Sequence, residues 1–129
     1  LSRLSDAERY WYMQAIVRMV LADGRIDLHE RVYLHHTVRA LENPAQVRAL
    51  EEMIVFGPKE ELVALPNVPQ DMKTMMMREL VEIAVIEREF SEEEQVLLRE
   101  IGEKIGADAA LMKEMFDYGQ QRLQQFQSR

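Results

Sequence analysis

Three carboxylates between residues 23 and 30 have the types and spacing that could do chemistry together. Asp23, Asp27 and Glu30 are four and three residues apart, and oxygen ligands of this kind bind hard cations such as Ca²⁺ and Mg²⁺. With Gly24 and Ile26, their spacing matches the second half of an EF-hand loop. The two ligand positions of the first half fall on a methionine and a leucine, which cannot bind such a cation. An EF-hand is therefore excluded, and a smaller acidic cation site stays open.

A second group of polar residues follows 64 positions later in the chain. Glu87 aligns with the first acid of the earlier group, Ser91 with the second and Glu94 with the third. The apolar residues on either side also align, as expected for two related structural units. The candidate ligands of a divalent cation are Asp23, Asp27, Glu30, Glu87 and Glu94.

Both groups also have a purely structural interpretation. In each group the second residue is a good helix N-cap, and an acid stands three residues later, where it completes a capping box. The first acid of each group, Asp23 or Glu87, is not explained in this way. Each places negative charge at a helix C-terminus, where the macrodipole disfavours it. These two residues are the reason that a cation site stays open as an interpretation.

The remaining sequence predicts helices throughout. Gly and Pro are few and fall between apolar segments with helical spacing, and capping boxes begin at Ser5, Asp27 and Ser91. Asn43 precedes a first-turn proline and begins a further helix, and a short helical turn is expected over 60–64. The residues expected in the core from the second helix are Val32, Leu34, Val38 and Leu41.

These elements predict an all-α fold. We expect one compact domain over residues 1–129 with about seven helices, built from two pseudo-repeated helical hairpins. The hairpins span about 5–56 and 69–126, and the proline-containing segment 57–68 connects them.

Composition excludes several classes of function. The 129 residues contain 16 Lys and Arg against 23 Asp and Glu, a formal charge of −7, which argues against binding to nucleic acid phosphates. There is no cysteine, which removes thiol catalysis, disulfides and Cys-type zinc sites. No apolar run approaches the length of a membrane span, so membrane insertion is not expected.

The histidines and methionines give weaker signals. His29, His35 and His36 share the predicted second helix but lack zinc-protease spacing, so they are expected at the surface. Met75, Met76 and Met77 are consecutive. They cannot all face one way on a helix, so either one covers a neighbouring loop or one meets solvent or an apolar partner. The candidate partner surface consists of Met75, Met77, Glu89, Glu92 and Glu93.

The stretch from Ala22 to Glu30 resembles the repeated turn of the TerB-like family, the tellurite-resistance protein B group. In that family an Ala-Asp-Gly turn is followed by a small capping residue and a Glu. The segment 87–106 is similar to the family's other turn, although Glu87 replaces Asp and Arg88 stands where many members have Gly. The resemblance covers about 15–107.

The resemblance implies about seven helices in two related halves, an acidic surface that holds a divalent cation, and a cytoplasmic role in stress response or signalling. A relative forms the cytoplasmic domain of a membrane-anchored, DnaJ-like co-chaperone. We therefore expect a non-enzymatic module with a protein partner. The alternative is a pure interaction domain of a larger or co-chaperone-like system with no metal. A carboxylate-metal hydrolase is disfavoured because no positioned base or oxyanion donor is recognisable.

Overall fold

In the computed structural model the chain is helical, and residues 4–22, 24, 26–86 and 88–127 are described. This described part contains six α-helices and no strand, so the predicted all-α class is confirmed. The helices are α1 Asp6–Leu21, α2 Leu28–Val38, α3 Pro44–Phe56, α4 Gln70–Val85, α5 Glu92–Ile105 and α6 Ala109–Gln127.

The prediction of a short helical turn over 60–64 is wrong, because those residues have irregular backbone. Gly57 ends α3 with φ +83°, and Pro58 follows it directly. A proline disfavours helical backbone in the residue before it, and Pro66 and Pro69 extend the same restriction towards α4. The segment is instead fixed by side chains such as Leu62, which is buried.

Local capping determines where most helices begin. All three predicted capping boxes are present, at Ser5, Asp27 and Ser91. The Asn43 side chain accepts hydrogen bonds from two backbone N–H groups of α3. At the other end of α5, Gly106 takes the left-handed conformation that the sequence predicts. These ends depend on residues two to five positions apart, which is why the sequence predicts them well.

The chain divides into two compact units, and the first spans Leu1–Leu62. In this unit α3 packs against both α1 and α2. The fully buried side chains include Tyr12 and Met19 of α1, Leu34 of α2 and Leu50 of α3. Helix α3 therefore joins α1 and α2 around the core of this unit.

The second unit spans Val63–Arg129, and in it α6 packs along α4 while α5 contacts both. Close approach of the helices is possible because glycines stand at the contacts. A Cβ added at Gly119 would lie 2.6 Å from Cε2 of Phe90, and one added at Gly102 would lie 2.3 Å from Sδ of Met112. Such distances leave no room for a methyl group.

One core prediction is wrong. Leu34 and Val38 of α2 are fully buried and Leu41 is half-buried, but Val32 is 60% exposed. Val32 and Leu34 are two residues apart, which places them on nearly opposite sides of a helix.

Within the described residues, no helix combines the length and apolar character needed to cross a membrane.

Candidate functional site

The first acidic turn joins α1 to α2. The chain leaves α1 with the N–H of Gly24 donating to the carbonyl of Leu21 at 3.0 Å, and Gly24 has φ +73°. Asp27 then caps α2, because its Oδ1 accepts from the N–H of Glu30 at 2.8 Å. In return, Oε1 of Glu30 accepts from the N–H of Asp27 at 3.2 Å. Asp27 is exposed and Glu30 is half-buried.

The second acidic turn joins α4 to α5 and repeats these bonds. The N–H of Arg88 donates to the carbonyl of Val85 at 2.8 Å, and Arg88 has φ +66°. Ser91 caps α5, because its Oγ accepts from the N–H of Glu94 at 3.1 Å. Oε1 of Glu94 accepts from the N–H of Ser91 at 2.8 Å. Each feature lies 64 residues after its counterpart in the first turn.

The two turns differ in the burial of their side chains. Glu94 is only 5% exposed. Phe90, which precedes the Ser91 cap, is also buried and stacks on Phe116 with the ring centroids 6.0 Å apart. The amide of Gln95 donates to the carbonyl of Phe90 at 2.9 Å. The second turn is therefore held by tertiary contacts as well as by its capping box.

The structure places the candidate cation ligands as follows. Asp27 and Glu30 lie together in one capping box and Glu94 lies in the other, while Asp23 and Glu87 lie outside the described residues. Among the described residues, no group of three or more His, Asp or Glu side chains is arranged to hold a metal ion. The described oxygens suit Ca²⁺ or Mg²⁺ in type, but two carboxylates at one turn are too few to enclose either ion.

The candidate partner surface is not a single exposed patch. Met77 is fully buried and contributes to the core of its unit, so its predicted surface role is wrong. Met75 and Glu89 are half-buried. Glu92 and Glu93 are exposed in the first turn of α5, as expected for a solvated acidic rim.

The structure also brings together a cluster that the sequence does not predict. In the second unit, the Tyr118 hydroxyl donates to the Glu82 carboxylate, and Arg122 Nε donates to the same oxygen at 2.9 Å. The hydrogen bond to Glu82 raises the pKa of Tyr118 above the usual tyrosine value. The guanidinium of Arg78 lies 5.0 Å from the Tyr118 ring centroid. Glu82 precedes Tyr118 by 36 positions and Arg122 by 40, so no local pattern reveals their contact.

An open cavity of about 440 Å³ lies beside this cluster. Two basic and two acidic side chains line it, and Lys113 pairs with Asp117 across one helical turn at 2.9 Å. The hydrogen bond with Asp117 raises the pKa of Lys113, which keeps that amine protonated and unsuited to act as a base.

A further feature is the outward face of α2, which carries apolar side chains. Leu28 is 72% exposed, Val32 60% and Tyr33 62%. His29 and His36 are also exposed, whereas His35 is half-buried and its Nδ1 lies 3.2 Å from Oε2 of Glu51. The helical spacing of residues 28, 32, 33 and 36 could have revealed this face.

Comparison of the chain with protein-family models, with curated proteins and with solved structures found no match.

Proposed function

We propose that this chain is a non-enzymatic, TerB-like module that acts in a cytoplasmic stress response or in signalling. In this proposal its acidic turns bind a divalent cation and its surface binds a protein partner. The observation that supports it best is the pair of capped turns, which have matching hydrogen bonds and a positive φ 64 residues apart. We interpret the two units as pseudo-repeats on the same ground.

The first turn is the stronger candidate for the cation. It combines the capping pair Asp27 and Glu30 with Asp23, and all three side chains are carboxylates. A carboxylate has two oxygens, so Asp27 can bind a cation and keep its capping bond. The second turn has Ser91 in place of the second acid and a buried Glu94. We therefore expect one cation for each chain, bound at the first turn.

The test exploits the difference between the two caps. Asp27→Ser retains a capping side chain and removes one carboxylate, and Glu30→Gln retains the capping box and removes another charge. Calorimetric titration with Ca²⁺, Mg²⁺ and Zn²⁺ should detect binding to the native chain. Either variant should bind at least tenfold more weakly while its melting temperature without cation stays close to native.

A matched control comes from the exposed rim of the second unit. Glu92→Gln removes the same charge from the first turn of α5 and should leave cation affinity unchanged. Native chain that gives neither heat nor a melting shift at millimolar cation would contradict the cation part. So would equal weakening by Glu92→Gln and Asp27→Ser, because binding would then follow net charge alone.

The alternative function is a pure interaction domain, within a larger or co-chaperone-like system, that needs no metal. The exposed apolar face of α2 favours it, because large apolar side chains grouped at a surface commonly mark an interaction site. A module of this kind would bind its partner equally well with a chelator present.

A further inference from the structure

The outward face of α2 groups apolar and aromatic side chains at the surface of an acidic chain. On a helix of 3.6 residues per turn, the side chains of Leu28, Val32 and His36 form one row, and His29 and Tyr33 form the row beside it. All five are exposed. The opposite side of α2, with Leu34 and Val38, is fully buried in the first unit. This outward face, which we call the α2 face, is therefore separate from the core.

The charges at the two ends of the α2 face are opposite. Asp27 stands at the N-terminal end, where it is exposed. Arg39 stands at the C-terminal end, where its side chain is 68% exposed and one guanidinium nitrogen lies 3.3 Å from Glu51. Glu30 also lies between these ends, but it is half-buried and completes the Asp27 capping box, and none of the five residues of the α2 face is acidic. Such a polar arrangement is self-complementary when two copies of the helix run in opposite directions.

We propose that α2 pairs with α2 of a second copy of this chain in an antiparallel, two-fold dimer. A two-fold axis between Val32 and Tyr33 places Val32 of one copy against Tyr33 of the other. The same axis sets Leu28 beside His36 and brings Asp27 near Arg39. The dimer then has two contacts between Asp27 of one copy and Arg39 of the other, and the two helix dipoles run antiparallel. A two-fold contact of this kind uses the same patch on both copies and closes without forming a chain.

The pairing accounts for the exposed apolar residues of α2 better than contact with the corresponding face of α5 does. The α5 face occupies the matching position in the second unit, but its exposed residues include four glutamates and only Val96, at 44% exposure, is apolar. An α2 face packed there would bury glutamates against leucine and tyrosine. Packed on another α2 face, Val32 meets Tyr33 and Leu28 meets an imidazole ring, and neither is set against a carboxylate.

The test measures self-association against concentration. Contacts that bury less than about 1,200 Å² are typically weak and transient, so we expect the dimer fraction to rise between about 10 µM and about 1 mM protein. Sedimentation velocity on the native chain should show this rise. Val32→Asp should abolish it, because it places two buried carboxylates near the two-fold axis.

Val96→Asp is the matched control, because residue 96 holds the same register on α5. It should associate like the native chain, and circular dichroism should show native helix content for both variants. A native chain that stays monomeric to 1 mM overturns the proposal. So does association that survives Val32→Asp, or that is lost in Val96→Asp, since the latter would indicate contact between α2 and α5.

The direction of pairing can be tested by cross-linking, because the chain has no cysteine of its own. A short bismaleimide should join Leu28→Cys to His36→Cys in a mixture of the two variants. It should join two Val32→Cys chains, and it should join two Leu28→Cys chains poorly. Efficient linkage between two Leu28→Cys chains would show parallel pairing and overturn the antiparallel arrangement. Association in the presence of a chelator keeps this result separate from the cation experiment.

Discussion

The turn between α1 and α2 passes through Gly24, which has a positive φ, and α2 begins at an Asp cap. The turn between α4 and α5 passes through Arg88, which has nearly the same φ, and α5 begins at a Ser cap. The backbone hydrogen bonds from Gly24 to Leu21 and from Arg31 to Asp27 have counterparts from Arg88 to Val85 and from Gln95 to Ser91. Their surroundings do not correspond. This pair of turns separates what local sequence determines from what tertiary packing adds.

The second turn is held in place by Phe90, the residue that precedes its cap. Phe90 is 7% exposed and packs against the ring of Phe116 and the backbone of Gly119. Its counterpart in the first turn is Ile26, which is half-buried. Glycine at position 119 allows this contact, because a Cβ there would collide with the Phe90 ring. Two turns with the same capping bonds can thus differ widely in stability.

The largest difference is expected at these two anchoring residues. Phe90→Ala should lower the free energy of unfolding by about 3 kcal/mol, because it opens a cavity against α6, where Phe90 packs on Phe116 and Gly119. Ile26→Ala removes a side chain that is already partly in water and should cost about 1 kcal/mol. Urea unfolding followed by circular dichroism gives both values. Equal losses would mean that the turns are anchored alike, contrary to their burial.

The buried and half-buried capping acids provide the next test. Glu94→Ala should lower the free energy of unfolding by about 2 kcal/mol, because the N–H of Ser91 loses its acceptor in a buried setting. Glu30→Ala should cost about 1 kcal/mol, the usual value for a more solvated cap. Hydrogen exchange of the amides at residues 91 and 27 measures each loss locally. A larger loss for Glu30→Ala would show that burial does not strengthen the capping box.

These contrasts also show which features the sequence predicts and why. Caps depend on residues three apart, so Ser5, Asp27 and Ser91 were identified without knowledge of the fold. Burial depends on which side of a helix meets another helix. Val32 was expected in the core because it is apolar, although its spacing from Leu34 puts the two on opposite sides. Helical spacing thus distinguishes Val32 from Leu34, whereas hydrophobicity alone does not.

Contacts between distant segments were not predictable by such rules. Glu82 receives hydrogen bonds from Tyr118 and Arg122, which belong to a helix that follows much later. Nothing within one helical turn of any of these residues signals the contact. Met77 was misplaced for a similar reason, because its burial follows from the close approach that Gly102 permits. Sequence reasoning therefore identified the turns, and it missed what packs around them.

The smallest expected effects, of opposite sign, come from the residues at positive φ. A non-glycine residue in the left-handed region costs about 1 kcal/mol, so Gly24→Ala should destabilise the chain by about that amount. Arg88→Gly removes the same strain from the second turn and should stabilise it by up to about 1 kcal/mol, less the entropy of the added glycine. None of the described residues lies within 4 Å of a Cβ added at residue 24, so the loss measures backbone conformation without a clash from them. Thermal unfolding of both variants beside the native chain decides the sign. A gain for Gly24→Ala would contradict the shared conformation, because alanine stabilises only where φ is negative.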